Sequence, residues 1–268
     1  MTHDDIDPFL LMAADEGWLC DRREFAFLLN YYTQGAFAAV GDDGEVQGYI
    51  TSIAHRLSGW IGNLIVGKEK RRKGIGSMLM ERCLETLASS GVRTVWLTAS
   101  SSGAPLYERL GFRAIDRIFR WRVNGGLLAS SNGCPPESAI LGLLQLDRYG
   151  WGDDRSGLCR EKIRHGTLLT GHGAALVIQE IDHACTLIGP WAAHLPKSAG
   201  GLLEAAMKMR LDTGATFVDL PAGNAQACTL LERNGFKHCS ETVLMYLGDK
   251  PDFRPHAIYA LASSGSIG

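Results

Sequence analysis

Val66-Gly67-Lys68-Glu69-Lys70-Arg71-Arg72-Lys73-Gly74-Ile75-Gly76-Ser77 is the stretch that decides the fold. It follows the apolar run 60–66, which is typical of a strand, and it opens a segment with helical spacing of apolar residues. The first amides of a helix have no intrahelical partner, and the helix dipole favours an anion there. Gly74 and Gly76 let backbone amides approach a ligand closely, and Lys or Arg occupies five of the six positions 68–73. The stretch therefore predicts a phosphate-binding turn.

The motifs of two common nucleotide sites are missing from this turn. It has neither G-x-x-x-x-G-K-[ST] nor G-x-G-x-x-G with a following acidic residue, which disfavours P-loop and Rossmann sites. Taken alone, a basic turn of this kind is also compatible with a solvated surface loop. The strand, turn and helix in succession favour phosphate binding.

The segments around the turn predict a mixed α/β domain. Helical patterns fill 7–32 with a break near Gly17, and strands at 36–40 and 46–53 flank a Gly/Asp turn typical of a hairpin. After the helix that begins near residue 75 and stops at Gly91, we expect a strand at 94–98, a short helix at 104–110 and a last strand at 118–123.

The second half of the chain repeats the first. Leu106-Tyr107-Glu108-Arg109-Leu110-Gly111-Phe112 returns as Leu230-Leu231-Glu232-Arg233-Asn234-Gly235-Phe236. Before each copy lies a strand, and before each strand a helix opened by glycine, Gly74/Gly76 and Gly200/Gly201. Residues 126–137 are rich in Gly, Ser and Pro and are interpreted as a linker. The prediction is two tandem domains, 1–125 and 138–268.

Composition excludes several classes of protein. The chain has 268 residues, 46% of them hydrophobic and 21% charged, with a formal net charge of −2. The basic excess of nucleic-acid-binding proteins is missing. There is no apolar run of the ~20 residues that span a bilayer, and the amino-terminal residues do not resemble a signal peptide. Seven cysteines without a C-x-x-C pair are typical of reduced thiols, so a cytoplasmic protein is expected, with no membrane, nucleic-acid or metal partner. A homodimer is left open.

Arg71-Arg72-Lys73-Gly74-Ile75-Gly76 is similar to the R/Q-x-x-G-x-G/A signature of the GNAT superfamily of N-acetyltransferases, and the heptapeptide at 106–112 resembles their L-Y-x-x-x-G-F segment. The whole layout, including Glu16-Gly17-Trp18 and Asp219-Leu220-Pro221-Ala222-Gly223-Asn224, resembles tandem two-domain GNAT proteins. The resemblance implies an acetyl-CoA site between two splayed strands. Its expected residues are Leu64, Ile65 and Val66 along the pantetheine arm, Arg71, Arg72, Lys73, Gly74, Ile75, Gly76 and Ser77 at the pyrophosphate, Thr98 and Ala99 at the thioester, and Arg109 near the adenosine.

Tyr107 is the candidate general acid, because a phenol is protonated at neutral pH and can donate to a developing thiolate. The family pattern places a tyrosine here beside the cofactor sulfur, and the alternative is a tyrosine that packs its helix onto the sheet. No base is evident, since 60–66 contains no carboxylate. Glu16, Asp21 and His55 stay candidates for it. Glu16, Trp18 and Asn63 are candidate contacts of the acceptor.

The second half departs from the signature at the decisive positions. Pro196-Lys197-Ser198-Ala199-Gly200-Gly201 stands where the first half has its basic turn, and Leu231 stands in place of Tyr107. We therefore expect a degenerate second domain without catalysis, with Asn224 as a turn or cap residue.

Three classes of function stay open. The first is an acyltransferase that acetylates a primary amine of a small molecule or peptide. The second is a CoA-binding sensor or scaffold without turnover. The third is a phosphate-binding enzyme of unrelated chemistry, which the missing nucleotide motifs disfavour.

Overall fold

A computed structural model describes residues 1–129, 135–182, 185–263 and 265–268. Ser130–Cys134 of the predicted linker therefore lie outside the described residues. The first half is formed by helices α1 and α2, a β-hairpin and a third strand, helix α3, strand β4, helix α4 and strand β5. The bounds are α1 Ile6–Asp15, α2 Arg22–Tyr31, β1 Ala36–Val40, β2 Val46–Ala54, β3 Ser58–Val66, α3 Ile75–Ser89, β4 Thr94–Ala99, α4 Ala104–Arg109 and β5 Arg113–Asn124.

The second half has the same order of helices and strands, which confirms the predicted duplication. Its bounds are α5 Glu137–Trp151, α6 Ser156–Arg164, β6 Gly166–Gly171, β7 Ala174–Asp182, β8 Cys185–Ala193, α7 Pro196–Met207, β9 Ala215–Pro221, α8 Ala225–Arg233 and β10 Lys237–Gly248. One further strand, β11 Ile258–Ala260, follows and has no counterpart in the first half. The mixed α/β class expected from the sequence is confirmed.

All the described strands belong to one sheet in which the halves exchange their last strands. The sheet order is β1-β2-β3-β4-β10-β5-β9-β8-β7-β6, and β11 pairs with β8. The last strand of the second half, β10, pairs antiparallel with β4, while the last strand of the first half, β5, pairs antiparallel with β9. The two exchanged strands also pair with each other. Each half therefore completes the sheet of the other.

The parallel strands of each half diverge along their length. β3 and β4 pair only from Ser58↔Thr94 to Trp60↔Trp96, and β8 and β9 pair only from Cys185↔Ala215 to Ile188↔Val218. Beyond these pairs the strands separate. We call the space between 61–66 of β3 and 97–99 of β4 the first gap. The space between 189–193 of β8 and 219–221 of β9 is the second gap.

The second gap is filled by the chain itself. Strand β11 pairs with β8 through Ile258↔Ala192 and Ala260↔Trp191. On the other side, the Leu261 amide donates to the carbonyl of Asp219 in β9, at 2.8 Å. The backbone groups that β8 and β9 leave free on diverging are thereby used by β11.

A shared core joins the halves at the closed end of the first gap. Trp151 at the end of α5 packs edge-on against Trp60 of β3 and Trp96 of β4, with ring centroids 5.8 and 5.5 Å apart. The buried Asp153 carboxylate accepts the amides of Leu57 and Ser58 at 3.0 and 2.7 Å. The second half therefore fixes the start of β3.

Two sequence expectations need correction. Gly200 and Gly201 do not open the helix of the second half, because α7 begins at Pro196 and contains both glycines. The last strand of the first half is longer than the predicted 118–123, since pairing with both β10 and β9 extends it to Arg113–Asn124. No helix in the described ranges is long and apolar enough to cross a membrane.

Candidate functional site

The turn between β3 and α3 presents a row of free backbone amides. No hydrogen bond from the amides of residues 72–77 to any other described residue is found. Arg72 and Gly74 have positive φ angles of 61° and 85°, and left-handed residues of this kind turn successive amides toward one point. Since Gly74 is the N-cap of the 15-residue helix α3, the helix dipole adds to the same positive potential. This arrangement matches a diphosphate.

The basic side chains of the turn divide into two groups. Arg71 folds back, with Nε 2.9 Å from the carbonyl of Val66 and Nη2 2.7 Å from Glu16 Oε1. Lys68 also lies 3.7 Å from this carboxylate. The hydrogen bond from Arg71 holds the pKa of Glu16 below its usual range. Arg72 and Lys73 are exposed, and no ion pair joins either side chain to another described residue.

Glu16 and Trp18 are positioned by the end of α1. The amides of Gly17 and Trp18 donate to the carbonyls of Ala14 and Ala13, both at 2.9 Å, with Gly17 at a φ of 71°. This is a Schellman ending, which requires a left-handed residue that glycine supplies. It directs Glu16 toward the basic turn and leaves Trp18 40% exposed. Glu16 therefore lies beside the basic turn, in contact with Arg71.

Asn63 forms a bulge where β3 leaves β4. Its φ is 57°, and the register of β2 with β3 shifts between Tyr49↔Ile65 and Thr51↔Gly62. The Asn63 side chain is buried and donates to Thr51 Oγ1 at 2.8 Å. Leu64, Ile65 and Val66 follow this bulge along the first gap. Their edge toward β4 is not paired with it. The Val66 carbonyl accepts from Arg71 Nε, and the other backbone groups of this edge are available to an amide-rich ligand.

Tyr107 lies on α4, beside the start of α3. A Cβ placed on Gly76 would lie 3.7 Å from Leu106 and 3.9 Å from Val66, so β3, α3 and α4 meet at this glycine. Tyr107 packs on the core and edge-on against Phe112, and no hydrogen-bond partner of its hydroxyl occurs among the described residues. Burial raises the pKa of Tyr107 to about 12, which keeps the phenol protonated.

Of the remaining predicted residues, Thr98 and Ala99 border the first gap, while Arg109 lies on α4. Thr98 and Ala99 end β4, with Ala99 fully buried and Thr98 half-buried, and Arg109 is exposed at the end of α4. A cavity of about 190 Å³ lies elsewhere, at the opposite end of β3 and β4 beside Ser58 and Thr94. It is therefore separate from the turn.

Two further candidates for a base lie outside this arrangement. Asp21 is the N-cap of α2 and accepts the Arg23 amide at 2.9 Å. His55 is half-buried in the β2–β3 turn, at the other end of β3 from the basic turn. Burial and the neighbouring Arg155 charge lower the pKa of His55 to about 3, so its ring is neutral.

The second half lacks the turn altogether. Only His194 and Leu195 separate β8 from α7, whereas eight residues separate β3 from α3. Leu231, the counterpart of Tyr107, is fully buried in the apolar core of this half. Asn224 is the N-cap of α8, as predicted, and accepts the Ala227 amide at 3.0 Å. The second half therefore has neither a basic turn between β8 and α7 nor a tyrosine at the position that corresponds to Tyr107.

The comparisons with known proteins agree with this geometry. A model of the acetyltransferase (GNAT) family matches residues 7–112, and a GNAT acetyltransferase domain model matches residues 143–260. Together they cover well over half of the chain. The chain belongs to the GNAT acetyltransferase family. The sequence prediction of a tandem GNAT protein is thereby confirmed, and so is the N-acetyltransferase class at the level of the family.

Individual relatives match parts of this GNAT chain. An N-alpha-acetyltransferase 30 of Schizosaccharomyces pombe is 27% identical over 108 residues, 38% of this chain and 72% of that protein. The chain spans only 36% to 58% of the other curated relatives that it matches.

Two solved structures share the fold along almost the whole chain. A putative acetyltransferase from Pyrococcus horikoshii has a TM-score of 0.83 at 23% identity and covers 100% of this chain and 94% of its own. A tandem GNAT protein from the clavulanic acid biosynthesis pathway has a TM-score of 0.63 at 13% identity, and the match covers 94% of this chain and 98% of that protein. These likenesses establish the fold.

The sequence did not indicate the role of residues 265–268, which lie against the first gap. They are Gly, Ser, Ile and Gly, and nothing in their composition distinguishes them from an ordinary loop.

Proposed function

We propose that the first half binds acetyl-CoA and transfers its acetyl group to a primary amine of a small molecule or peptide. The observation that carries this proposal is the row of free amides at residues 72–77, directly after a strand that diverges from its parallel neighbour. Charge-assisted hydrogen bonds from such amides and from Arg72 and Lys73 suit a diphosphate. The free edge of Leu64–Val66 suits the amides of the pantetheine arm.

The residues of the first gap have separate tasks in this reaction. Acetyl-CoA supplies a thioester whose carbonyl carbon is attacked by the neutral amine: the C–N bond forms, the C–S bond breaks with loss of the thiolate, and the nitrogen releases its proton to water, from which Tyr107 is reprotonated. Tyr107 donates the proton that the leaving sulfur requires, and its raised pKa ensures that the proton is present at neutral pH. Glu16 holds Arg71 at the edge of the turn. Thr98 and Ala99 border the reacting end.

The second half does not catalyse in this proposal. Its gap is filled by β11, its turn has two residues, and its core has Leu231 in place of the tyrosine. Its contribution is structural, through β10 beside β4 and through Trp151 and Asp153 at the closed end of the first gap.

A peptide amine is the acceptor that the relatives favour. The first of them is named an N-alpha-acetyltransferase and matches 108 residues of this chain. The runner-up is a CoA-binding sensor without turnover. The two differ in one measurable property, the release of free thiol when acetyl-CoA and an amine are both present.

The test follows thiol release with acetyl-CoA and a panel of amines for Tyr107→Phe and wild type. We expect kcat to fall by about 10²-fold or more, because a general acid contributes 10²–10⁴-fold, while the CoA dissociation constant stays within about twofold. The matched control is Tyr149→Phe, which removes the hydroxyl of a tyrosine of the second half that is 40% exposed. Equal loss of kcat and affinity would assign Tyr107 to packing, and absence of thiol release with every amine would favour the sensor.

A further inference from the structure

Residues Gly265–Gly268, which we call the strap, cross the closed end of the first gap. The carbonyl of Gly265 accepts hydrogen bonds from Trp60 Nε1 and from Thr98 Oγ1, both at 3.2 Å. Trp60 belongs to β3 and Thr98 to β4, so one peptide carbonyl bridges the two strands where they begin to diverge. This is the end of the gap where the acetyl group would lie in the proposed function.

The strap occupies the same place in the first gap that Leu261 occupies in the second. Gly62 and Gly189 are each the fifth residue of their nine-residue strands. A Cβ on Gly62 would overlap the carbonyl oxygen of Ser266, and a Cβ on Gly189 would overlap that of Leu261. Both strands therefore carry glycine where a peptide backbone lies directly against them. Each gap of the duplicated fold can thus hold a polypeptide at this position.

The two occupants differ in how firmly they are bound. In the second gap β11 forms ladder pairs with β8, and Leu261 bonds to β9. In the first gap the described strap residues form no strand pairs. The strap is held instead by the two donors to Gly265, by the Ala262 amide, which donates to the Gly268 carbonyl at 2.8 Å, by the Ile267 amide, which donates to Ser263 Oγ at 3.0 Å, and by Ser266. Ile267 is fully buried in the core of the first half, so displacement of the strap must break these bonds and expose this one apolar side chain.

Ser266 connects the strap to a buried ion pair between the halves. Its hydroxyl donates to Glu24 Oε1, while Lys162 Nζ lies 2.5 Å from Glu24 Oε2. The side chains of Glu24 and Lys162 are 10% and 7% exposed. If the strap left, Oε1 of a largely buried carboxylate would lose its donor, and an unpaired group of this kind is costly. An amino group could replace the hydroxyl.

We propose that the strap occupies the acceptor site of the first half and that this site binds a peptide with a free amino terminus. The peptide replaces the strap: a backbone carbonyl of the peptide accepts from Trp60 Nε1 and Thr98 Oγ1, and its amino group donates to Glu24. Gly62 admits the peptide backbone against β3. This inference rests on the proposed function and names its acceptor class.

The first test is hydrogen–deuterium exchange of the full chain with CoA bound. A panel of hexapeptides with free amino termini and different first residues is added, and the N-acetylated form of each serves as its control. We expect at least one free peptide to speed exchange in 265–268 several-fold and to slow it in 61–64, whereas the acetylated forms do neither. Unchanged or slower exchange in 265–268 with every free peptide would overturn the proposal. CoA replaces acetyl-CoA here, so the result does not depend on turnover.

The second test is kinetic and uses Ser266→Ala with Ser89→Ala as the matched control. Ser266→Ala removes the bond to Glu24, and Ser89 is an exposed residue of α3 that bonds only within its helix. A site occupied by its own chain binds acceptor less tightly in proportion to the free fraction. We expect Ser266→Ala to lower KM for the peptides by about three- to tenfold with kcat unchanged, and Ser89→Ala to change neither. An unchanged or raised KM in Ser266→Ala would show that the strap is a fixed part of the structure that the peptide does not displace, and would overturn the proposal.

The two tests separate this inference from the proposed function. If no amine releases thiol from acetyl-CoA, the proposed function fails whatever the strap does. If amines do release thiol but neither exchange nor KM responds as stated, only the strap inference fails. Acetylation of small amines but of no peptide would also refute the acceptor class while leaving the transferase in place.

Discussion

Two glycines that flank helix α3 offer a direct test of the phosphate turn. Gly74 precedes the helix and Gly91 follows it, with φ angles of 85° and 79°. A Cβ added at either position would meet no atom within 4 Å. Alanine at either site is therefore free of clashes and is penalised only by its left-handed backbone, which costs about 1–2 kcal/mol for a residue with a Cβ. The two substitutions are matched in strain and differ in position.

Both variants are expected to lose similar stability, and only one should lose affinity for CoA. Each should lower the free energy of unfolding by about 1–2 kcal/mol in urea titrations. In Gly74→Ala the backbone relieves part of this strain by shifting out of the left-handed region, and this shift turns the following amides away from a common point. Loss of one amide–phosphate bond costs about 1.5–3 kcal/mol, so the CoA dissociation constant should rise about 10- to 150-fold, as measured by calorimetric titration. Gly91→Ala should leave it unchanged.

Pantetheine, which lacks the diphosphate, provides the internal control. Its affinity depends on the edge of β3 in this proposal, so Gly74→Ala should change it by less than about twofold. The reasoning would be refuted if Gly74→Ala and Gly91→Ala bound CoA equally well, or if pantetheine and CoA lost affinity together.

Three further predictions follow from single side chains. Glu16→Gln removes the carboxylate that neutralises Arg71. It should lower the CoA dissociation constant about two- to fivefold in calorimetric titrations at low salt, and the difference should shrink in 0.5 M salt. The pKa of His55 is about 3 in the folded protein and 6.5 for a free ring, so the unfolded chain binds the proton first as the pH falls. The free energy of unfolding therefore decreases below about pH 6.5. Between pH 7 and pH 5, urea titrations should show a decrease that is about 2 kcal/mol larger in wild type than in His55→Asn. Asn224→Ala removes the α8 cap and the donor to the carbonyls of His256 and Ile258, and should cost about 2–4 kcal/mol in urea unfolding without changing kcat.

Local sequence determined most of the first half. The basic turn, the break at Gly17 and the hairpin at 36–54 each depend on neighbouring residues, and the structure has all three. The exchange of β5 and β10 could not be predicted, because either strand would satisfy the edge of β4 through the same backbone hydrogen bonds. Which one lies there depends on the packing of the whole chain. The start of α7 was misplaced for a related reason: glycine opens α3 through a positive φ, while Gly200 and Gly201 lie inside a helix opened by Pro196.

The candidate site was predictable where a motif names it and unpredictable where distant segments meet. The turn and Tyr107 come from contiguous motifs. Glu16 was selected as a contact of the acceptor, which stays a prediction, but its bond to Arg71 is a pairing across 55 residues that no local pattern encodes. The strap is more distant still, since Gly265 meets Trp60 across 205 residues. Its small residues carry no signal in the sequence because their function depends on the space that they occupy.

The second half has neither the basic turn nor a counterpart of Tyr107, and its contacts with the first half give a physical reason for its presence. In the described sheet, β10 of the second half is the strand that pairs with β4 on the side away from β3. Asp153 fixes the start of β3, and Lys162 pairs with the Glu24 carboxylate that faces the strap. Residues 1–125 alone would expose one edge of β4 and leave Glu24 without its buried cation, and an unpaired buried charge is strongly destabilising. Strand exchange therefore makes the first gap depend on the fold of the second half, because β10 pairs with β4 and Asp153 binds the start of β3.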